Sequence, residues 1–230
     1  MSKIKNIFKT IFPILISVLF CVVGVACNKN NQNNYESSIN VLSEYRKNLF
    51  VGNGGNFIVT FTSGQRESNY IMDGETSPLV DFGVLTVKFN YSFEKSAPKF
   101  VLKINDKSYE GELEKNPFDG TFVFDIEKQV NDSDVISLYL EDINENLNLT
   151  CWSKSWNITY KSALQSFLNK HKDNLSKYYV EDRLEGEIFI KIVSNDSKMS
   201  SVYWYVLLVC KNGDILASLV DVNNGQIIQN

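Results

Sequence analysis

The sequence has little of what most enzymes use for acid–base, nucleophilic or metal chemistry. Its 230 residues include one histidine and four cysteines. A single histidine excludes a histidine-rich zinc site, and a Ser-His-Asp triad would have to use this one residue. The sequence also lacks a G-x-S-x-G elbow, a P-loop and a dinucleotide-binding fingerprint. We therefore expect no enzymatic activity, no cofactor and no bound metal.

Basic residues are too few and too scattered for a protein that binds nucleic acid. The formal net charge is -4, with 23 lysines and arginines against 27 aspartates and glutamates. Three of those lysines precede Cys27, so the chain that follows Cys27 is more acidic still. Binding of phosphate groups needs clustered lysine and arginine, which excludes nucleic acid as an expected partner.

The N-terminus, by contrast, carries an ordered targeting signal. Three lysines precede an apolar stretch over residues 11–23, and Gly24, Val25 and Ala26 then lead directly to Cys27. This succession of a positive segment, an apolar segment and small or slim residues is typical of an export signal. With its lipobox-like GVAC, it resembles the bacterial lipoprotein signal peptide, in which diacylglycerol is attached to the cysteine and the leader is cut before it.

The resemblance implies that residues 1–26 are a signal peptide and that acylated Cys27 holds the protein in the membrane lipid. Residues 27–34 would then be the lipidated cysteine and a polar spacer. Two alternatives stay open, namely an uncleaved transmembrane anchor and full release. Roughly 18 uncharged residues precede Asn28, which is the lower limit for a helix that spans a bilayer. All three alternatives place the rest of the chain outside the cytoplasm.

The cysteines outside the leader are few. If Cys27 is lipidated, only Cys151 and Cys210 can pair, and the sequence leaves open whether they do. A nucleophilic cysteine needs a nearby base and an electropositive setting. Both of these cysteines end apolar, strand-like runs, so we expect packed thiols.

The composition after the leader favours strands, since the aromatic residues stand among valine, isoleucine and threonine. Residues 35–158 are predicted to form one domain. Apolar residues at intervals of three and four predict a short amphipathic helix over residues 35–50. The period then changes to two, and the short strands that follow predict an antiparallel sandwich or barrel and make a parallel sheet unlikely. The predicted strands are 57–62, 80–91, 99–104, 108–113, 121–127, 135–140 and 147–152.

Residues 159–230 are predicted to form a second, small α+β domain. Leu164, Leu168 and Leu175 share one face of a helix of about five turns over residues 160–178. A strong Asn-Gly turn then predicts a hairpin. The strands predicted here are 187–193, 202–210, 215–221 and 227–228. The chain as a whole is thus expected to be mainly β, of the α+β class.

The order of elements in this last part resembles a PepSY-like domain. The likeness is carried by YWYV at residues 203–206 and DVNNGQI at residues 221–227. In that family an aromatic strand precedes a strand that ends in an aspartate, a turn glycine and an apolar residue. The resemblance implies a protease-inhibitory or envelope-regulatory role.

Several polar and aromatic residues are candidates for a site. His171 falls on the apolar stripe of its helix, so we expect a half-buried packing side chain. Residues 64–74 form the longest polar excursion between predicted strands, where loops of a sandwich often bind partners. The candidate binding residues of that loop are Arg66, Glu67, Tyr70 and Met72. A group of aromatic residues could form a platform that binds a sugar or a peptide. Alternation along the strand places Trp204 opposite Tyr203 and Tyr205, so we expect one side of this strand to pack in the core. The residues of the group are Trp152, Trp156, Trp204, Tyr203 and Tyr205.

Carboxylates occur in two groups that could serve a glycosidase or hold calcium. Their spacing fits no EF-hand loop, and acidic loops are ordinary on an acidic protein. The groups are Glu181, Asp182, Glu185 and Glu187, and Asp132, Asp134, Glu141 and Asp142.

These features predict a membrane-anchored extracytoplasmic lipoprotein that acts as a non-enzymatic binding module. Its partner is an unknown protein, peptide or envelope ligand. The alternatives are an inhibitor or regulator of an envelope protease and a carboxylate-dependent extracytoplasmic hydrolase.

Overall fold

A computed structural model describes residues 38–69, 76–94, 97–194 and 201–228. Within these ranges the chain is mainly β, with one large sheet, one small two-stranded sheet and two short helices, which confirms the predicted fold class. The predicted signal peptide, Cys27 and the spacer lie outside the described residues.

Nine strands come from the first part of the chain. Most of them lie where the alternation of apolar residues predicts them. Their bounds are β1 Leu42–Asn53, β2 Phe57–Glu67, β3 Leu79–Phe89, β4 Lys99–Ile104, β5 Lys107–Glu112, β6 Glu114–Lys115, β7 Phe122–Ile126, β8 Ile136–Leu140 and β9 Glu145–Cys151.

These strands form two layers around one hydrophobic cluster, the sandwich core. One layer has the order β1-β2-β3-β7-β6 and the other the order β5-β4-β8-β9, and β9 also pairs with β1. Side chains that alternate along each strand fill the space between the layers. Phe61 and Leu102, for example, are completely buried there. The predicted antiparallel sandwich is therefore present in this part of the chain.

The prediction of a helix over residues 35–50 was wrong, because most of that segment is strand β1. Two irregularities explain the misleading pattern. The pairing of β1 with β12 shifts between Leu42 and Glu44, and its pairing with β2 shifts between Arg46 and Asn48. Each bulge inserts a residue into the alternation. Apolar side chains that fall out of a strict period of two then give helix-like intervals of three and four.

The remaining elements form a helix-and-sheet unit. Their bounds are α1 Tyr160–Lys170, α2 Lys172–Leu175, β10 Tyr179–Val180, β11 Arg183–Leu184, β12 Gly186–Ser194, β13 Val202–Cys210, β14 Ile215–Asp221 and β15 Ile227–Ile228. Thr159 caps α1, since its hydroxyl accepts a hydrogen bond from the backbone N–H of Ser162. The helices pack on β12 to β14 through a second hydrophobic cluster, in which Phe167 and Trp204 are buried.

The single long helix predicted over residues 160–178 was also wrong. α1 ends at Lys170, His171 takes a non-helical conformation with φ -98° and ψ 10°, and α2 is only four residues long. A 3₁₀ turn over Ser176–Tyr178 continues the apolar face. The stripe of leucines therefore marks the buried face correctly but not the continuity of the helix.

β1 joins the two parts of the chain. It pairs with β12 in parallel, whereas the other pairings of the described strands are antiparallel. Phe50 belongs to the sandwich core, whereas Leu49 and Val51 belong to the cluster beneath the helices. The boundary predicted between residues 158 and 159 stays a prediction.

Candidate functional site

One end of the sandwich carries a cluster of aromatic side chains, which we call the aromatic end. The rings of Phe89 and Phe93 stack with their centroids 4.2 Å apart, and Tyr91 meets Phe89 edge-on at 5.5 Å. Stacked and edge-to-face pairs are the favoured arrangements of aromatic rings, so the cluster is well packed. The members of this cluster are Phe57, Phe89, Tyr91, Phe93 and Phe122. Phe118 lies on the turn that precedes β7 and belongs to the same end of the sandwich.

Phe118 stands on that turn with 97% of its surface exposed. The turn is held by its own polar side chains. Asn116 Oδ1 accepts from the backbone N–H of Phe118 at 3.0 Å, and Asp119 Oδ1 accepts from the hydroxyl of Thr121 at 2.7 Å. Gly120 supplies the left-handed conformation, with φ 72°. The backbone is thus fixed in a shape that presents the Phe118 ring to solvent.

The carboxylate of Asp119 is electrostatically suited to this bracing role. Burial acts to raise the pKa of Asp119, but hydrogen bonds from Thr121 and the charge of Lys88 outweigh it, and the pKa is lowered. Since Lys88 lies in β3, this interaction also shows that the turn adjoins the end of that strand. Asp119 therefore stays ionised, and an ionised carboxylate accepts hydrogen bonds strongly.

A recess lies at the same end of the sandwich. Phe122 at the start of β7 pairs with Val87 near the end of β3. The Phe118 turn and the segment after β3 therefore lie at the same end of these strands. Tyr91 is 46% exposed and lines a cavity of about 360 Å³ with Phe93 and Asp142, among others. The aromatic end thus combines exposed rings, a recess and carboxylate groups, which can anchor a partner by apolar and polar contacts.

The aromatic end lies far from the point where the chain enters the fold. β1 has 12 residues, so its two ends are about 36 Å apart at ~3.3 Å per residue. The chain enters at Leu42, whereas Asn53 at the other end pairs with Ile58, next to Phe57 of the aromatic cluster. A tether that precedes β1 would therefore join the fold at the opposite end of this strand.

Arg66 and Glu67, which were predicted to lie in a binding loop, lie in strand β2. Arg66 Nη2 forms an ion pair with Asp125 at 2.9 Å, and its guanidinium lies 4.9 Å from the centre of the Phe82 ring. Glu67 is buried and accepts a hydrogen bond from the backbone N–H of Ser77 at 2.5 Å. Tyr70 and Met72 lie outside the described residues.

The tryptophans form no exposed platform. Trp204 is 1% exposed, and its Nε1–H donates to the carbonyl of Ile158 at 2.8 Å. Trp156 meets Trp204 edge-on, with the ring centroids 5.3 Å apart. Tyr203 and Tyr205 alternate with Trp204 along β13 and remain half-buried on the opposite side of the sheet. The expectation of core packing for Trp204 is confirmed.

His171 is half-buried, as predicted. Its Nε2 lies 2.8 Å from Ser218 Oγ, and its ring packs on Phe167 at 4.7 Å. Burial lowers the pKa of the imidazole, and the charge of Lys170 lowers it further. A catalytic triad also needs a carboxylate that orients the histidine. Within the described ranges, no carboxylate forms a hydrogen bond with His171.

The two cysteines in the described chain are unpaired. Cys210 is buried in the cluster beneath the helices, and this burial raises the pKa of its thiol, with a further contribution from Asp214. A raised pKa leaves little thiolate near neutral pH. Cys151 packs beside the sandwich core, with its Sγ 3.4 Å from Ser153 Oγ.

Some of the candidate carboxylates belong to turns of the backbone. Glu181 and Asp182 have φ values of 48° and 62° and form the tight turn between β10 and β11. Asp134 Oδ1 accepts from Asn105 Nδ2 at 3.0 Å and so ties two turns of the sandwich together. In the part of the chain that the structure describes, no group of three or more histidine, cysteine or acidic side chains is arranged to hold a metal ion.

No protein family, no curated protein and no solved structure matches this chain. Among residues 38–69, 76–94, 97–194 and 201–228, no helix is long and apolar enough to span a membrane.

Phe118 is the site residue that the sequence patterns missed. The turn Asn116-Pro117-Phe118-Asp119-Gly120 itself is recognisable, because proline, aspartate and glycine each favour a turn. A large aromatic residue in the middle of such a turn has no strand or helix face on which to be buried. An aromatic residue in the middle of a turn is therefore the sequence feature that could have indicated an exposed ring.

Proposed function

We propose that this protein is a membrane-anchored extracytoplasmic lipoprotein that binds an envelope protein or peptide through its aromatic end. The observation that carries this proposal is the 97% exposure of Phe118 on a turn braced by Asn116 and Asp119. Binding energy at protein interfaces is concentrated in a few large side chains, with aromatic rings prominent among them. A rigid turn also lowers the entropy that must be lost when the ring docks.

The position of the aromatic end supports an anchored binding module. Lipid on Cys27 would tether the start of β1, and the aromatic end lies about 36 Å away along that strand. Two or three acyl chains anchor a protein durably, whereas a single chain does not. With the tether at one end of β1, the exposed rings are available to partners beyond the membrane surface.

Affinity capture from intact cells tests the binding role. The bait is the lipid-anchored protein as wild type, as Phe118→Ser and as Val135→Ser. Val135 is a matched control, because it is also an exposed apolar residue, at 68%, next to a turn that Asp134 braces. We expect a specific partner with wild type and Val135→Ser, and at least tenfold less with Phe118→Ser. Equal recovery with all three baits would contradict the proposal.

Metabolic labelling with a fatty-acid probe tests the anchor. The wild-type chain is expected to take up the label and Cys27→Ser to lose it. Equal labelling of the two proteins would remove the lipid from the proposal and leave the binding role to be judged by the capture experiment.

Inhibition or regulation of an envelope protease is a second candidate. It is supported by the order of elements after residue 159, where the helices are followed by the short β10–β11 pair, by β12, by the β13–β14 hairpin and by the short β15. Apart from β10 and β11, this is the order that the likeness to PepSY-like domains implies. The test is whether the purified protein slows the hydrolysis of a casein substrate by envelope proteases from the same cells. Unchanged hydrolysis at saturating protein would reject this candidate.

A further inference from the structure

A second concave site lies where the sandwich meets the helix-and-sheet unit, and we call it the junction cleft. Its volume is about 190 Å³. It is lined from β1 by Lys47 and Asn48, from the turn after β9 by Lys154, and from the start of α1 by Tyr160, with Trp156 nearby. Ligand sites occur preferentially where two structural units meet. This cleft is separate from the aromatic end and does not depend on the function proposed for it.

Two aromatic rings form an apolar wall of the junction cleft. Trp156 packs edge-on against the buried Trp204, and Tyr160 stacks on Tyr45 with the centroids 4.4 Å apart and the planes 11° from parallel. Trp156 and Tyr160 are only half-buried, so part of each ring remains accessible from the cleft. The contacts behind the rings fix their orientation. A ligand with a flat apolar face can therefore pack here without reordering the wall.

The charges of the cleft favour an anionic group. Lys47 and Lys154 are exposed and line the cleft, and Asp132 is the one acidic residue among the lining side chains. Neither lysine forms an ion pair within the part of the chain that the structure describes. A net positive lining on a protein with formal charge -4 is a local reversal of sign. Such a reversal attracts anions to the cleft.

An amide on the cleft wall has an acceptor atom that no described side chain or backbone group uses. Asn48 is only 4% exposed, and its Nδ2 donates to the carbonyl of Val130 at 2.6 Å. Its Oδ1 accepts no hydrogen bond from the residues described here. Among the described residues, the side-chain atoms that are buried without a partner are Ser77 Oγ and Gln129 Nε2, so Asn48 Oδ1 keeps access to solvent. A hydroxyl of a bound ligand can therefore donate to this oxygen.

We propose that the junction cleft binds an acidic sugar. A pyranose ring has an apolar C–H face for Trp156 and Tyr160, hydroxyl donors for Asn48 Oδ1, and in acidic sugars a carboxylate for the two lysines. The volume of about 190 Å³ is below the ~300–1,000 Å³ typical of pockets for drug-sized ligands, so one sugar ring is the unit that fits. The ligand class is thus a uronic acid or another carboxylated monosaccharide unit of a glycan.

Tryptophan fluorescence provides a local readout. The chain has three tryptophans, of which Trp156 and Trp204 line the cleft. The purified protein is titrated with glucuronate, with glucose as the neutral match and with inorganic phosphate as the anion without a ring. We expect a saturable change with glucuronate and at least tenfold weaker responses to the other two. Equal responses to glucuronate and glucose, equal responses to glucuronate and phosphate, or no response to any probe would overturn the proposal.

A pair of charge reversals localises the binding. Lys47→Glu with Lys154→Glu is expected to weaken glucuronate binding by tenfold or more, because two attractions become repulsions. The matched control is Lys103→Glu with Lys107→Glu, which makes the same charge change at exposed positions of β4 and β5. The control is expected to bind as wild type does. Equal weakening in both double variants would show a general charge effect and would overturn the assignment to the cleft.

Discussion

The aromatic end and the junction cleft use the same kind of side chain in opposite ways. At the aromatic end, Phe118 is placed on a turn and left 97% exposed, whereas in the cleft Trp204 is placed on a strand and left 1% exposed. At Phe118 a side-chain hydrogen bond braces the backbone, whereas the ring of Trp204 is itself held by packing and by a hydrogen bond from its Nε1–H. The difference shows that backbone position, and not residue type, decides whether an aromatic ring stabilises the fold or is offered to a partner.

The largest expected effect is that of Trp204→Ala on stability. Removal of a fully buried aromatic side chain should lower the free energy of unfolding by about 3–5 kcal/mol. Urea denaturation followed by far-UV circular dichroism measures this change. A loss below about 1 kcal/mol would mean that Trp204 packs loosely, and the contrast between the two regions would be lost.

The next largest effect on stability is expected at Gly64, where β2 pairs closely with β1. A Cβ on Gly64 would come within 1.9 Å of the carbonyl oxygen of Tyr45, so Gly64→Ala forces the bulged backbone to move. We expect a loss of about 1–3 kcal/mol in the free energy of unfolding. The control is Gly55→Ala, where a Cβ would meet nothing within 4 Å. Equal stability of the two variants would show that this close approach is not required.

A smaller effect concerns the pH dependence of the helix-and-sheet unit. The pKa of His171 is lowered in the folded state, first by burial and then by Lys170, so folding favours the neutral imidazole. As the pH falls below about 6.5, the unfolded chain takes up the proton first and stability decreases. Denaturation at pH 7.5 and 5.5 should therefore show a larger loss for wild type than for His171→Gln. An equal loss of stability in both proteins would show that His171 does not cause the pH dependence.

The smallest effect on stability is expected from Phe118→Ser. Because the ring packs on little, the free energy of unfolding should stay within about 0.5 kcal/mol of wild type. A stable variant that loses its partner would show that Phe118 serves binding and not folding. A loss of more than about 1 kcal/mol would place Phe118 among the residues that support the fold.

Much of the fold follows from local patterns, because alternation over four or more residues specifies a strand that is buried on one face. Strands β4, β13, β14 and β15 have the predicted bounds. Pattern reasoning failed at β1, where two bulges disturb the alternation, and at His171, where one residue interrupts an otherwise periodic helix. Bulges and helix breaks depend on pairing with distant strands and on tertiary packing, which no local window contains.

The candidate sites were less accessible to sequence reasoning than the fold. Arg66 and Glu67 belong to a strand because β2 continues through a polar segment that pairs along its whole length with β3. Trp156 and Lys47 are more than 100 residues apart in the chain and meet only because β1 joins both parts of the molecule. A cleft formed by distant segments leaves no spacing signal.

Photo-crosslinking in living cells shows whether a partner binds at the aromatic end. A benzoylphenylalanine residue replaces Phe118 in one variant and Val135 in another, and the cells are irradiated before the anchored protein is isolated. We expect a discrete crosslinked species of higher mass with the probe at position 118 and none with the probe at position 135. A crosslink of equal yield at both positions, or none at position 118, would contradict the claim that the aromatic end is the binding surface.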